Sequence, residues 1–323
     1  MKAICYETFG PPEALQFKEV AKPTPGNQQV LVKVHAASIN ALEWRRFTVP
    51  SFVVRWLTGG RRKPKDTTLG ADVAGRIEAV GENVKRFKPG DEVFGCAHGS
   101  FAEYVLAREA YLTLKPANRS FAEAAAVPVA ALTALQAIRC AGGIRPGQQV
   151  LIQGASGGVG MYAVQLAKTS GAEVTAVCNT RNLNLARSWG ADHVIDYTKE
   201  DFTKNNKQYD LIVAINGYHS LWAYRRALKP QGIYVFAGGT VPQLLQSLLF
   251  AKWLSQKGGK TLRSTGVTKV NQDDLAQLGE LLQAGKIAPV IDRRYPLNET
   301  ADAFRHIVEQ HAQGKIVIEV FQD

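Results

Sequence analysis

Three things are scarce in this 323-residue chain: cysteine, paired histidine and long apolar runs. The 4 cysteines, Cys5, Cys96, Cys140 and Cys178, are far apart and form no Cys-x-x-Cys pair. That excludes a metal knuckle and a disulfide-framed scaffold. The 6 histidines, at 35, 98, 193, 219, 306 and 311, are equally scattered. No apolar run approaches the roughly 18 residues that a membrane span requires. Ser51–Leu57 is broken by Arg55, and Leu244–Trp253 by Gln246, Ser247 and Lys252. Met1–Glu7 alternates like a strand and meets an acid early, unlike a secretory leader. These absences predict a soluble, cytoplasmic protein with no transmembrane span.

What is present is an ordinary globular composition, 46% hydrophobic and 21% charged, with a formal net charge of +11. A basic balance suits nucleic acid, an anionic membrane or an anionic small ligand, and local distribution decides between them. The one dense basic cluster, Arg61-Arg62-Lys63-x-Lys65, sits in a Gly/Pro-bounded loop without stacking aromatics. A solvated loop or a positive rim for a ligand is expected there, with RNA a third reading and DNA not expected.

The length predicts two domains. Up to residue 119, short alternating runs such as Val30–His35, Arg76–Val80, Glu92–Phe94 and Phe101–Leu106 are separated by turns, which suggests a small β-rich barrel or sandwich. At Ser120-Phe-Ala-Glu123 a capping-box spacing opens a helix. Strands and helices then alternate, with strands at 150–153, 173–178, 193–195, 210–215 and 233–237 and helices at 158–170, 183–189 and 220–228. That is the signature of a doubly wound parallel sheet, an α/β fold. After about residue 260 come an amphipathic helix at 272–284, a second helix opening at 298–302 and a strand at 316–321. The expected division is 1–119 with 262–323, enclosing 120–261.

The sharpest motif is Gly154-Ala-Ser156-Gly157-Gly158-Val159-Gly160, between the strand Val150–Gln153 and a helix. Glycines there let backbone approach a pyrophosphate, and the helix N-terminus presents free N–H groups to it. A second strand follows at Glu173–Cys178, the context that a lone glycine cluster would lack. An NAD site usually ends that strand with an acid for the ribose 2′-hydroxyl. Here Asn179-Thr180-Arg181 follows, which predicts NADPH, the 2′-phosphate held by a guanidinium and a hydroxyl.

Leu69-Gly-Ala-Asp-Val-Ala-Gly75, Val80-Gly-Glu-Asn-Val84, Lys88-Pro-Gly-Asp-Glu-Val-Phe-Gly95, Gly99-Ser-Phe-Ala-Glu-Tyr104 and Ala131-Leu-Thr-Ala134 join the glycine loop in one pattern. Together they resemble the medium-chain dehydrogenase/reductases, in their zinc-free quinone oxidoreductase and enone reductase branch, over essentially the whole chain. The resemblance implies a GroES-like β-barrel domain plus a Rossmann domain, and a homodimer. Zinc members carry Gly-His-Glu-x-x-Gly, where this chain has Gly70-Ala-Asp72-Val-Ala-Gly75. Their first cysteine ligand falls near Ser38–Asn40, and the four-cysteine lobe is absent. No zinc site is expected. The resemblance also implies an active-site Asn at Asn40 and cofactor contacts from Thr133, Tyr197, Gly217, Gly238, Gly239 and Lys315.

Without a Lewis acid, oxidation of a plain alcohol is disfavoured, whereas a quinone or α,β-unsaturated carbonyl delocalises incoming charge itself. The expected activity is hydride transfer from NADPH to such a small molecule, with Asn40 as hydrogen-bond donor and no obligatory proton donor in the sequence. Trp44, Phe47 and Trp56 are candidates for an apolar pocket wall. The alternative is a dinucleotide-binding protein with a non-catalytic role, such as RNA binding.

Overall fold

A computed structural model describes residues 1–41, 43–44, 67–238, 259–310 and 312–321. The basic cluster at 61–65, Phe47, Trp56, the run 244–253 and Gly239 lie outside the described residues. The chain forms two compact units, Met1–Val129 with Val270–Asp323, and Ala130–Lys269.

In chain order the first unit supplies β1 (Lys2–Cys5), β2 (Gln16–Glu19), β3 (Gln29–Ser38), β4 (Asp72–Val80), β5 (Glu92–Cys96), β6 (Tyr104–Arg108) and β7 (Leu112–Leu114). The second supplies β8 (Gln149–Gln153), β9 (Glu173–Cys178), β10 (His193–Asp196), β11 (Tyr209–Ala214), β12 (Leu228–Phe236) and β13 (Thr261–Ser264). The chain then returns to the first unit with β14 (Ile291–Pro296) and β15 (Lys315–Glu319).

The first unit is β-rich, with a seven-stranded sheet in the order β14-β15-β3-β4-β5-β7 and β6 paired to β3. Strand β3 is long and almost continuously buried, with only Gln29 and Lys33 part-exposed. It is paired along its length with β4, while β6 takes Gln29–Lys33 and β15 takes Ala36–Ser38. Val32, Val34, Ile77, Val93, Phe101, Phe304 and Ile318 fill the core beneath. This is the β-rich first domain that the resemblance implied.

The second unit is a six-stranded parallel sheet ordered β10-β9-β8-β11-β12-β13, the doubly wound order with its switch between β8 and β11. Leu151, Ile212, Tyr224 and Tyr234 are buried against one another in its core.

Several elements differ from the sequence reading. The capping box at Ser120 is present: Ser120 Oγ accepts from Glu123 N–H at 3.2 Å, and Glu123 Oε2 accepts from Ser120 N–H at 2.9 Å. Its helix, α1 (Phe121–Ala125), is short and packs in the first unit, where the His35 ring stacks on Phe121 at 4.2 Å. The residue before Pro128 disfavours helix, and α2 (Pro128–Cys140) starts afresh. The first unit therefore runs through Val129, past the expected break at 119. The helix expected at 220–228 covers only Leu221–Arg226, because Leu228 is buried as the first residue of β12 opposite Tyr209. Strand β13, with two of its four residues exposed, gave no alternating signal, and the expected boundary at 262 cut through it.

Candidate active site

The carboxyl ends of β8 to β12 carry the residues expected to hold a dinucleotide. After β8 the chain turns at Gly154, whose φ of +79° is left-handed. A Cβ there would lie 2.8 Å from Asn216 N, and one on Gly160 would lie 2.1 Å from Gly154 O. Both glycines are thus required by the turn itself. The turn is tied to β9 by Gly154 and Ala155 N–H groups donating to Val177 O at 3.2 and 3.1 Å.

Gly157 is different. It caps α3 (Gly158–Thr169) with an ordinary φ of −80°, and a Cβ on it would meet nothing nearer than Gly154 O at 3.7 Å. The protein does not need glycine at 157 for its own packing. Open space in front of a twelve-residue helix's first turn, with Ser156, Gly158 and Val159 half-buried around it, fits a phosphate held by backbone N–H groups.

After β9, Asn179 leads into a short 3-10 turn, Thr180–Asn182, with Arg181 exposed. Asn179 Oδ1 is buried without a hydrogen-bond partner, which also fits an absent ligand. Tyr197, just after β10, is 59% exposed and donates its N–H to Cys178 O at 3.1 Å. Gly217 (φ +97°) and Gly238 (φ +139°) follow β11 and β12, placing both on the same sheet edge. Thr133 is on α2, its Oγ1 2.8 Å from Thr268 Oγ1.

One expectation changes. The Thr180 hydroxyl donates to Asp196 Oδ2 at 2.5 Å, so it is not idle for a 2′-phosphate. Asp196 also accepts from Thr198 N–H and Oγ1 at 3.0 and 2.7 Å, and the Thr180 bond holds its carboxyl below the usual range. The end of β9 has no acid of its own, but parallel pairing of β10 brings one beside it. Sequence spacing from β9 alone does not reveal this.

The first unit holds a second cluster, built around Asn40. Its Nδ2 donates to Asp72 Oδ2 at 2.9 Å, and its Oδ1 accepts from Lys315 Nζ at 2.7 Å. Lys315 Nζ also donates to Ile39 O at 3.0 Å and to Asp72 Oδ2 at 3.2 Å. Ser38 Oγ donates to Asp72 Oδ2 at 2.6 Å and Val129 N–H to Asp72 Oδ1 at 2.8 Å. Lys315 is 3% exposed. Its three donors go to Ile39 O, Asn40 Oδ1 and Asp72 Oδ2, a setting that the cofactor contact implied by the resemblance did not include.

Glu43 adjoins them. Its Oε2 accepts from Asn40 N–H at 2.5 Å, while Oε1 is buried without a partner. Burial pushes its carboxyl up to about 8. Cys96, opposite Asp72 across β4–β5, has its thiol pushed well up by burial and then by the Asp72 and Glu43 carboxyls. The Asn40-x-x-Glu43 spacing is a capping-box signal in the sequence, and it was missed; nothing local marked Ser38 or Lys315 as its neighbours.

At the positions matching the metal-binding runs, Asn40 and Asp72 accept from the Lys315 ammonium and Ser38 donates to Asp72, so this donor set already holds a cation of the protein's own. Among the described residues, no group of three His, Cys, Asp or Glu side chains is placed to hold a metal, and no helix is long and apolar enough to cross a membrane.

Comparison with known proteins agrees with this architecture. Residues 26–117 match the alcohol dehydrogenase GroES-like domain family, and 189–318 the family described as zinc-binding dehydrogenase. A chloroplastic quinone oxidoreductase, QR1, from Triphysaria versicolor is 34% identical over 99% of this chain and 98% of its own length. The 2-methylene-furan-3-one reductase of Solanum lycopersicum is 35% identical over 98% of this chain and 79% of that protein. The solved quinone oxidoreductase of Coxiella burnetii superposes with a TM-score of 0.86 at 30% identity, covering 99% of each chain. Oxidoreductase chemistry with a nicotinamide cofactor follows from these relatives together with the NAD(P)H oxidoreductase of Mus musculus mitochondria, 33% identical over 99% of this chain and 89% of its own length. The chain belongs to the medium-chain dehydrogenase/reductase superfamily, in its quinone and enone reductase branch.

Proposed function

We propose that this protein is a zinc-independent, NADPH-dependent reductase of small quinones or α,β-unsaturated carbonyls. The reading rests first on the Asn40 cluster, in which an amide donor stands beside a buried ammonium where zinc relatives place metal ligands. When bound, the reduced nicotinamide supplies hydride. The backbone N–H groups at the start of α3 hold the pyrophosphate, and Arg181 takes the 2′-phosphate. Asn40 has two amide protons; one is committed to Asp72, and we assign the other to the substrate oxygen that gathers negative charge. Such a donor stabilises the developing enolate without a metal. A conjugated acceptor is required because an isolated carbonyl or alcohol would need stronger polarisation than one neutral amide gives. Trp44, packed on the first unit's core, supplies apolar surface nearby in sequence. We further expect a cytoplasmic homodimer, which light scattering and fractionation would check.

The deciding experiment follows loss of nicotinamide absorbance with NADPH or NADH and either 3-buten-2-one or 9,10-phenanthrenequinone. Turnover that prefers NADPH, survives a chelator and loses that preference in Arg181→Ala supports the proposal. Preference for NADH, or activity restored only by zinc, refutes it, as would salt-sensitive RNA binding without any turnover.

A further inference from the structure

A buried ion pair seldom adds net stability, because desolvating both charges offsets their attraction. The Lys315–Asp72 pair is nonetheless almost wholly buried, with side-chain exposures of 3% and 0%. Its arrangement explains what it accomplishes. The Asn40 amide completes a triangle with the two charges, which are themselves 3.2 Å apart, its oxygen toward the ammonium at 2.7 Å and its nitrogen toward the carboxylate at 2.9 Å. A flipped amide would set N–H against the ammonium and C=O against the carboxylate, two repulsive contacts in a low-dielectric interior. The orientation is therefore fixed, and the second N–H has one direction.

The same field acts on the amide's electrons. A cation at the carbonyl oxygen draws density from nitrogen through amide resonance, which makes the remaining N–H a stronger donor. Both ions are themselves pinned. Asp72 is held by Ser38 Oγ and by Val129 N–H, and Lys315 by Ile39 O. Glu43 anchors the Asn40 backbone N–H at 2.5 Å.

We propose that Lys315 and Asp72 are positioning residues that orient and polarise the Asn40 amide, so that a buried ammonium acts on the substrate oxygen through Asn40 rather than by direct contact. This rests on the assignment of Asn40 as the substrate's donor. The order of effects is then set: loss of the pair weakens transition-state stabilisation more than ground-state binding, since charge grows on the oxygen only as hydride arrives.

The test uses the full-length double variant Lys315→Met/Asp72→Asn, which removes both charges together and leaves neither ion stranded. Circular dichroism and NADPH fluorescence titration should match the wild type. With 3-buten-2-one, kcat should fall about 10- to 100-fold while KM changes less than about threefold. In ¹⁵N-labelled protein the Asn40 side-chain NH₂ protons should be widely separated and downfield in the wild type and move upfield in the variant. An unchanged kcat and unchanged NH₂ shifts in the folded variant would overturn the proposal. Asn40→Ala separates the two ideas: if it leaves kcat intact, the donor assignment itself fails, whereas if it lowers kcat and the double variant does not, only the polarising role fails. Should the double variant not fold, the wild-type spectrum decides, and NH₂ protons merged at the position of a free amide would refute the proposal.

Discussion

Glu43 offers a test of the cluster that needs no substrate. It is 7% exposed, its Oε1 has no partner, and burial raises its carboxyl from the ordinary 4.5 to about 8 against the opposing pull of the Asn40 N–H and Lys315. The folded form thus keeps a proton that the unfolded chain releases above 4.5. Because the folded value is the higher one, Glu43's favourable contribution is complete below 4.5, shrinks as pH rises, and is flat above about 8. Each pH step across that window costs about 1.4 kcal/mol, so keeping the acid neutral at pH 7 costs about 3 kcal/mol. Glu43→Gln keeps an acceptor for Asn40 N–H and removes the titration. The variant should match the wild type near pH 4.5 and gain steadily on it towards pH 8. At pH 7 the gain corresponds to a Tm roughly 6–12 °C higher for a unit of this size. The assay is a series of thermal and urea melts of both proteins from pH 5 to 9, followed by circular dichroism. A difference that does not vary with pH would mean that Glu43 ionises normally and that the cluster is wetter than described.

The glycine loop gives a paired expectation. Gly160→Ala forces a Cβ to 2.1 Å from Gly154 O and should destabilise the second unit by more than about 2 kcal/mol, seen in melting. Gly157→Ala has room in the protein, so Tm should hold within the usual surface scatter of about 0.5 kcal/mol while NADPH affinity, by fluorescence titration, falls at least about tenfold. Asp196→Asn removes a carboxylate beside the proposed 2′-phosphate position and should raise the NADPH-to-NADH ratio of kcat/KM about tenfold; an unchanged ratio would place Asp196 outside the pocket. Ser120→Ala breaks the capping box and should cost about 1 kcal/mol in urea unfolding without altering turnover.

The second unit was legible because its signals are local. A strand, a glycine turn and a helix sit within twenty-odd residues of sequence, and the period switches cleanly between 2 and 3.6. Element ends were less so: Leu228 reads as helix by its neighbours and is strand because Tyr209 pairs with it. The short strands β2, β7, β13 and β14 carried no alternation long enough to announce them. At the candidate site, Asn40, Lys315 and the glycines were named from resemblance and motif. The bonds that Asp72 and Lys315 make to Asn40 were not legible, since these residues reach it through pairing of β3 with β4 and β15. Asp196 escaped notice for the same reason, being adjacent to Thr180 across a strand pair instead of along the chain.

The return of β15 to β3 also sets a schedule. On the ribosome the Rossmann sheet has every strand by Ser264, whereas Asp72 waits for Lys315, some 240 residues further on, before its counter-ion exists. During that interval β3 exposes the edge at Ala36–Ser38 that β15 will cover. A nascent chain stalled before β15 should therefore hold a finished parallel sheet and a first unit with an uncovered strand edge and a buried carboxylate lacking its counter-ion.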